Sequence, residues 1–187
     1  MPETRPTAIV YVDGLNLYRY LKSAQPGNQR LNIARLCDSL LPSVAIEEIK
    51  YFTAIMKTLD GNAEPSIKQN LYLEQLRNCD CRIAIHLGRI RIDTRIYPQA
   101  PRVIDEAGRH LTAKIFKFEE KETDVNIAAT MVADAADKLA DAYILVSSDS
   151  DFKPLASIMA RRMGANYIQI SVRNIPGDLV VSSLFLT

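Results

Sequence analysis

The fold class of this chain of 187 residues is decided by one stretch near its start, Thr7-Ala8-Ile9-Val10-Tyr11-Val12-Asp13-Gly14-Leu15-Asn16. Its first six residues are apolar or β-branched, which predicts a short buried strand, and Asp13-Gly14 predicts a turn at the end of that strand. Apolar side chains then recur at helical spacing up to Leu21. A buried strand that leads directly into a helix is half of a βαβ unit, from which parallel sheets are built.

The same alternation continues along the chain. Further strands are predicted at 49–54, 82–87, 142–147 and 167–172, and further helices at 31–41, 65–78, 124–140 and 152–163. Residues 88–118 predict a β excursion around a loop that contains Pro98, Pro101 and Gly108. The chain is therefore expected to be an α/β protein with a mostly parallel sheet and helices on both faces.

Two of these helices carry specific expectations. In the third, Ile67, Leu71 and Leu76 are expected to face the core. The fourth is the most strongly patterned, with Thr123 as its expected N-cap. Asp124 would then lie in its first turn, where the helix dipole favours a negative charge.

Length and composition favour one domain over the whole chain, 1–187, with a core at about 7–175. Residues 177–187 contain the apolar tail 179–186 and are expected to form a C-terminal strand or an interface, so a homodimer is one expectation. No apolar run approaches the ~20 residues of a membrane span, and the N-terminus lacks the order of a secretory signal. Three cysteines are an odd number, which favours a reducing cytoplasm over a disulfide framework.

The charge is uneven although the net charge is only +1. Residues 82–121 contain nine Lys or Arg and five Asp or Glu, whereas residues 122–151 contain seven acids and one lysine. Ordinary surface charge is one interpretation. The other is a basic track for a polyanion beside a carboxylate cluster that needs a cation.

Three acidic motifs, at 11–16, 121–126 and 147–152, lie at the ends of predicted elements. If the first and fourth strands are neighbours, Asp13 and Asp149 face one cleft at the carboxyl edge of the sheet, and Asp124 joins them from a helix N-terminus. Taken singly, each motif has an ordinary structural role in a turn or a helix cap. Together they predict crowded carboxylates that need a cation, and oxygen ligands favour Mg²⁺ or Mn²⁺.

The same three motifs carry a resemblance to a family. They resemble the motifs of NYN domains, a LabA-like branch of the PIN-like nucleases. The matching segments are Val-Asp-Gly-Leu-Asn at 12–16, Lys-Glu-Thr-Asp-Val-Asn-Ile-Ala at 121–128 and Val-Ser-Ser-Asp-Ser-Asp-Phe at 146–152. The resemblance covers nearly the whole chain. It implies a PIN-like three-layer α/β/α sandwich with a mostly parallel sheet of about five to six strands, and divalent-metal-dependent cleavage of RNA.

The resemblance also implies roles for the matched residues. Asp13, Asp124, Asp149 and Asp151 are the expected catalytic and metal-binding acids, for Mg²⁺ or Mn²⁺. The expected substrate-binding or supporting residues are Asn16, Ser148, Ser150, Lys121, Arg89 and Arg91, with Arg95 a further candidate for the RNA backbone. The RNA is expected to be single-stranded; Tyr18, Tyr97 and Phe116 either stack its bases or belong to the core.

Two positions depart from the family pattern. Thr130 stands where many relatives have an acid, and Ser148 stands where glycine is common. Both favour the main alternative, a non-catalytic RNA-binding module with a vestigial site. A haloacid-dehalogenase-like phosphatase is disfavoured because Leu15 replaces the second aspartate that such an enzyme needs. A Rossmann nucleotide-binding domain is disfavoured because no glycine-rich loop follows the first strand.

Overall fold

A computed structural model of the protein describes residues 5–24, 30–101 and 103–182. Its strands are β1 (Thr7–Asp13), β2 (Ala45–Thr53), β3 (Ile83–Leu87), β4 (Arg89–Pro98), β5 (Thr112–Lys121), β6 (Ala142–Val146) and β7 (Asn166–Ile170). Its helices are α1 (Gly14–Ala24), α2 (Ile33–Leu40), α3 (Glu64–Cys79), α4 (Thr123–Ala136), α5 (Lys153–Arg162) and α6 (Gly177–Ser182). No helix among the described residues is long and apolar enough to cross a membrane.

Five strands form one parallel sheet in the order β3-β2-β1-β6-β7. Strand β1 therefore lies at the centre, with β6 beside it, as the placement of Asp13 and Asp149 in one cleft requires. Successive residues of a strand point to opposite faces of the sheet. Val10 and Val12 pack with the apolar residues of α1, α2 and α3, whereas Ile9 and Tyr11 pack with those of α4 and α5. This confirms the expected α/β/α sandwich.

Strands β4 and β5 leave the sheet as an antiparallel hairpin, which confirms the predicted β excursion. Its register pairs Arg89 with Lys121 and Ile90 with Glu120 at the base. Near the base, the charged residues Arg89, Arg91, Glu119 and Lys121 therefore share one face of the hairpin, and Glu120 lies on the other face with Ile90 and Ile92. Because β5 ends directly before α4, the hairpin base reaches the N-terminus of the helix that carries Asp124.

A buried ion pair fixes α4 on the sheet. The Nζ of Lys50 on β2 lies 2.6 Å from the Oδ2 of Asp134, and both side chains are about nine-tenths buried. The hydroxyl of Tyr11 donates a hydrogen bond to the same carboxylate oxygen. Charges removed from water need such partners to be tolerated. Asp134 is thus committed to the packing of α4, and it is not free to replace the acid missing at Thr130.

Four local expectations were wrong. Ile67 and Leu71 are 56% and 49% exposed, because α3 instead buries Leu73 and Leu76. The N-cap of α4 is Glu122, in the left-handed region with φ of 78°, and not Thr123. Helix α4 ends at Ala136, well before residue 140. Residues 177–182 form the short helix α6 instead of a strand, the alternative of an interface stays a prediction, and residues 183–187 lie outside the described chain.

Candidate active site

Asp13 is the last residue of β1 and is 5% exposed. Each of its carboxylate oxygens accepts one hydrogen bond. The backbone N–H of Asn16 donates to Oδ1 at 3.0 Å, and the hydroxyl of Ser147 donates to Oδ2 at 2.9 Å. These bonds fix the rotamer of Asp13 at the carboxyl edge of the sheet, where parallel α/β proteins bind their ligands.

Ser147 was not predicted, although it connects two of the acids. It is fully buried just beyond β6, and its Oγ also accepts a hydrogen bond from the backbone N–H of Asp149 at 3.1 Å. The family motif drew attention to its neighbours Ser148 and Ser150 instead. Its position in the sequence could have identified it. Ser147 directly follows β6, and because Val12 of β1 pairs with Val146 of β6, the next residues, Asp13 and Ser147, lie side by side.

The loop after β6 is held by Asn16 and Ser148. The side-chain Oδ1 of Asn16 accepts a hydrogen bond from the N–H of Ser148 at 3.0 Å, and the hydroxyls of Ser148 and Ser171 are 2.8 Å apart. The expected support from Asn16 is thus divided: its backbone bonds Asp13 and its side chain bonds the neighbouring loop. Ser150 is exposed, and its hydroxyl makes no hydrogen bond within the described part of the chain.

Asp149 and Asp151 lie in the turn that starts α5. The Oδ1 of Asp149 accepts a hydrogen bond from the N–H of Asp151 at 2.9 Å and caps a single 3₁₀ turn, 150–152. Asp149 is half-buried and Asp151 is exposed. The capping role uses one oxygen of Asp149 and leaves the other oxygen without a bond in the described residues.

Asp124 reaches the same edge from the first turn of α4, as predicted. The left-handed conformation of Glu122 turns the chain sharply from β5 into α4. Thr123 is buried beneath this turn, and its hydroxyl donates a hydrogen bond to Oε1 of Glu120 at 2.6 Å. The side chain of Asp124 remains exposed.

The pKa values show that these acids influence one another. Burial raises the pKa of Asp13 above its ordinary value, the hydrogen bonds from Asn16 and Ser147 oppose this, and the charges of Asp124 and Asp149 add to it. Burial likewise raises the pKa of Asp124, with further contributions from Asp149 and Asp151. All four predicted acids thus belong to one electrostatically coupled group. Negative charge at this edge is unfavourable without a cation.

Glu120 is a fifth acid of this group and was missed. Burial, followed by the charges of Asp13 and Asp124, raises its pKa, while the Thr123 hydroxyl lowers it. Its place depends on the register of the β4–β5 hairpin, which no local motif encodes. Arg19, on the exposed side of α1, lowers the pKa values of both Glu120 and Asp124, so a cation lies within electrostatic reach of these two acids.

The donor chemistry of the five acids fits a hard divalent cation, because all of the ligand atoms would be carboxylate oxygens. Their spacing does not form a closed coordination shell. In the described residues, no three His, Cys, Asp or Glu side chains are grouped closely enough to hold a metal ion. Asp124 and Asp151 are exposed, so their side chains are free to adopt other rotamers.

The predicted RNA-contacting cations lie beside this edge. Arg89, Arg91 and Lys121 line an open groove of about 800 Å³ between the hairpin base and the start of α4, together with Lys57. Several of these charges are already paired on the protein; Arg89, for example, bonds Glu122. Arg95 lies farther out on the hairpin. The three aromatic candidates Tyr18, Tyr97 and Phe116 are 52%, 40% and 58% exposed, so none is a core residue.

Comparisons with known proteins agree with the motifs. The chain is similar to a crystallised protein of unknown function from Vibrio parahaemolyticus RIMD 2210633. The superposition has a TM-score of 0.58 and a sequence identity of 17%, and it covers 98% of this chain and 91% of the other. At that identity the likeness shows the fold alone. No curated protein sequence matches the chain. The family model of the NYN domain matches residues 7–182. The chain therefore belongs to the NYN domain family of PIN-like nucleases.

Proposed function

We propose that this protein is a divalent-metal-dependent ribonuclease that hydrolyses the phosphodiester bonds of single-stranded RNA. The observation that carries the proposal is the coupled group of Asp13, Asp124 and Asp149, to which Asp151 and Glu120 contribute. Raised carboxylate pKa values at the ligand-binding edge of an α/β sheet are typical of a functional site. Membership of a nuclease family gives the class of reaction.

Asp13, Asp124 and Asp149 would hold the cation, Mg²⁺ or Mn²⁺, with Asp151 as a fourth acid. A cation bound there would supply a more acidic water and would stabilise the negative charge that develops on the scissile phosphate. Hydrogen bonds from Asn16 and Ser147 hold the carboxylate of Asp13 in place, so this side chain would not need to change its rotamer when the cation binds. Hydrolysis by this route leaves a 5′-phosphate and a 3′-hydroxyl; a 2′,3′-cyclic phosphate product would contradict it.

The groove lined by Lys57, Arg89, Arg91 and Lys121 would bind the phosphates that flank the scissile bond. Contacts with phosphates carry no base information, so we expect binding with little sequence preference. Each phosphate-binding cation contributes about one unit to the slope of log Kd against log salt. Lys57→Gln, which removes a cation that forms no ion pair within the described residues, should therefore lower that slope by about one.

The second candidate is a non-catalytic RNA-binding module. Two observations favour it: the acids do not form a closed coordination shell in the described residues, and Thr130 on α4 replaces an acid of the family pattern. Such a module would retain RNA binding at the groove and show no cleavage with any metal. Thr130→Asp would then be expected to gain cleavage.

The deciding experiment is cleavage of end-labelled single-stranded RNA with Mg²⁺, Mn²⁺ or EDTA. Wild type is compared with Asp13→Asn, Asp149→Asn and the control Asp137→Asn, which changes an exposed acid at the other end of α4. Metal-dependent cleavage that is lost in the first two variants and kept in the control supports the ribonuclease. RNA binding without cleavage under any metal supports the non-catalytic module.

We propose the cytoplasm as the location, supported by the free thiols of Cys37, Cys79 and Cys81. A homodimer is proposed from the apolar side chains exposed on the β4–β5 hairpin, among them Ile96 and Phe118.

A further inference from the structure

A cavity of about 410 Å³ lies on the α1 and α3 side of the sheet, next to the acidic site but outside it. Its volume falls in the range of roughly 300–1,000 Å³ that is typical of small-molecule sites. Its wall includes Gly14 and Leu15, which directly follow Asp13 in the chain, and Thr53, at the carboxyl end of β2. It therefore opens at the same edge of the sheet as the acids.

The ring of Tyr51 lies in the cavity wall, against the turn that follows Asp13. Tyr51 lines the cavity, and a Cβ placed on Gly14 would lie only 2.5 Å from its Cζ, so the turn after Asp13 rests on this ring. The charges of Asp13 and Glu120 add to the effect of burial in raising the pKa of Tyr51. One side of the ring thus faces the cavity, and the phenol end lies within electrostatic reach of the site.

The lining is suited to a flat, mostly apolar group on an anionic strand. The floor is aliphatic and includes Leu31 and Leu73, whereas Tyr18 presents a half-exposed aromatic ring at the rim. Two cations and one acid also border the cavity: Lys68 is paired with Glu64 at 2.6 Å, so Arg30 supplies the net positive charge of the rim. Aromatic and aliphatic walls bind the faces of nucleobases, and rim cations favour the attached phosphates.

The polar groups of the wall are largely occupied. Gln69 donates a hydrogen bond from Nε2 to the carbonyl of Ala54 at 3.0 Å and accepts one at Oε1 from the N–H of Met56 at 2.8 Å. The hydroxyl of Tyr72 donates to the carbonyl of Leu31 at 2.8 Å. Few groups are therefore available to read the edge of a base, so stacking should dominate and base preference should be weak.

We propose that this cavity binds a nucleobase of the RNA strand whose neighbouring phosphate lies at Asp13. The inference rests on the ribonuclease function proposed above and adds to it a base-binding subsite that is independent of the metal. It assigns Tyr18 as the residue that stacks on the base at the rim.

The chain contains no tryptophan, so Tyr18→Trp places a single fluorescent reporter at the cavity. The matched control is Leu139→Trp, on a comparably exposed residue just beyond the end of α4 that is opposite to Asp124. Both reporters are titrated in EDTA with oligouridylate, oligoadenylate and an abasic strand of the same length. We expect saturable quenching of the cavity reporter by the two base-containing strands and not by the abasic strand, with no saturable quenching of the Leu139→Trp control.

A second variant measures the stacking itself. Tyr18→Ala should raise the Kd for oligouridylate by about tenfold, a typical loss for one base–aromatic stack, and leave the Kd of the abasic strand unchanged. Equal quenching by the abasic strand, equal quenching of both reporters, or an equal loss of affinity for both strands would overturn the inference.

The outcomes also separate the two proposals. Metal-dependent cleavage without base-dependent quenching would remove the cavity inference and leave the ribonuclease. Base-dependent quenching without cleavage under any metal would remove the ribonuclease and leave the cavity as a nucleobase site of an RNA-binding module.

Discussion

Replacing Ser147 with alanine tests the network that holds the acidic site together. The Ser147 hydroxyl is fully buried and forms two bonds, donating to Asp13 and accepting from the N–H of Asp149. Alanine removes both bonds with the loss of one oxygen atom. It also removes a donor that stabilises the charged form of Asp13, so the pKa of Asp13, already above its ordinary value, should rise further.

The expected loss of stability follows from the kind of bond. A hydrogen bond to a charged group contributes about 1.5–3 kcal/mol. The N–H of Asp149 is near the surface and regains a bond to water, so it should add little. We therefore expect Ser147→Ala to lower the free energy of unfolding by about 2 kcal/mol, which corresponds to a fall in Tm of about 4–8 °C for a chain of this length.

The measurement is urea unfolding and thermal melting in EDTA, with Ser150→Ala as the control. Ser150 lies in the same loop, but its side chain is exposed, so the same substitution there should change stability by less than about 0.5 kcal/mol. If Ser147→Ala were as stable as Ser150→Ala, the hydrogen-bond network would not hold Asp13, and the account of the site would be refuted.

Three other variants test the packing and charge around this network. Asp134→Ala should lower the free energy of unfolding by about 3–5 kcal/mol, because it leaves Lys50 buried without its closest partner. Adding Lys50→Met should recover much of that loss in a double-mutant cycle measured by urea unfolding. If the losses of the two variants were additive, the buried pair would be contradicted. Gly14→Ala should destabilise the protein and change the near-ultraviolet circular dichroism of Tyr51, because the Cβ of the alanine would overlap the Tyr51 ring. Unchanged spectra and unchanged stability would contradict this close contact. In EDTA, the free energy of unfolding of wild type relative to Asp13→Asn should fall from acid to neutral pH. The folded state binds the Asp13 proton more tightly than the unfolded chain does, and this contribution to stability disappears as the pH rises through the folded-state pKa. A relative stability that rises with pH would show that the pKa of Asp13 is shifted in the opposite direction.

Much of the fold and part of the site could be predicted from local patterns. Buried strands in α/β proteins are short apolar runs, and a carboxylate directly after such a run must lie at the edge of the sheet. Asp13 and Asp149 could therefore be placed together once β1 and β6 were taken as neighbours. Asp124 could be placed because its helix is strongly periodic and its position in the first turn suits an acid.

The remaining features depend on tertiary structure. Glu120 joins the acids only because β4 and β5 pair in a particular register, and a shift of one residue would turn it to the other face. Thr123 resembles an N-cap in sequence, but the left-handed Glu122 turns the chain so that the threonine hydroxyl bonds Glu120. Ile67 was assigned to the core by spacing, whereas α3 contacts the sheet through other residues.

The binding of Mn²⁺ decides whether Asp13 helps to hold a cation, because this measurement requires neither the RNA target nor turnover. Thermal melting in Mn²⁺ and in EDTA would compare wild type, Asp13→Asn and the control Asp137→Asn. At a hundredfold excess over its Kd, a ligand of the folded state stabilises it by about 2.7 kcal/mol. We predict a saturable rise in the Tm of wild type and of the control, and none for Asp13→Asn. No rise in wild type, or an equal rise in Asp13→Asn, would contradict a cation site built on Asp13.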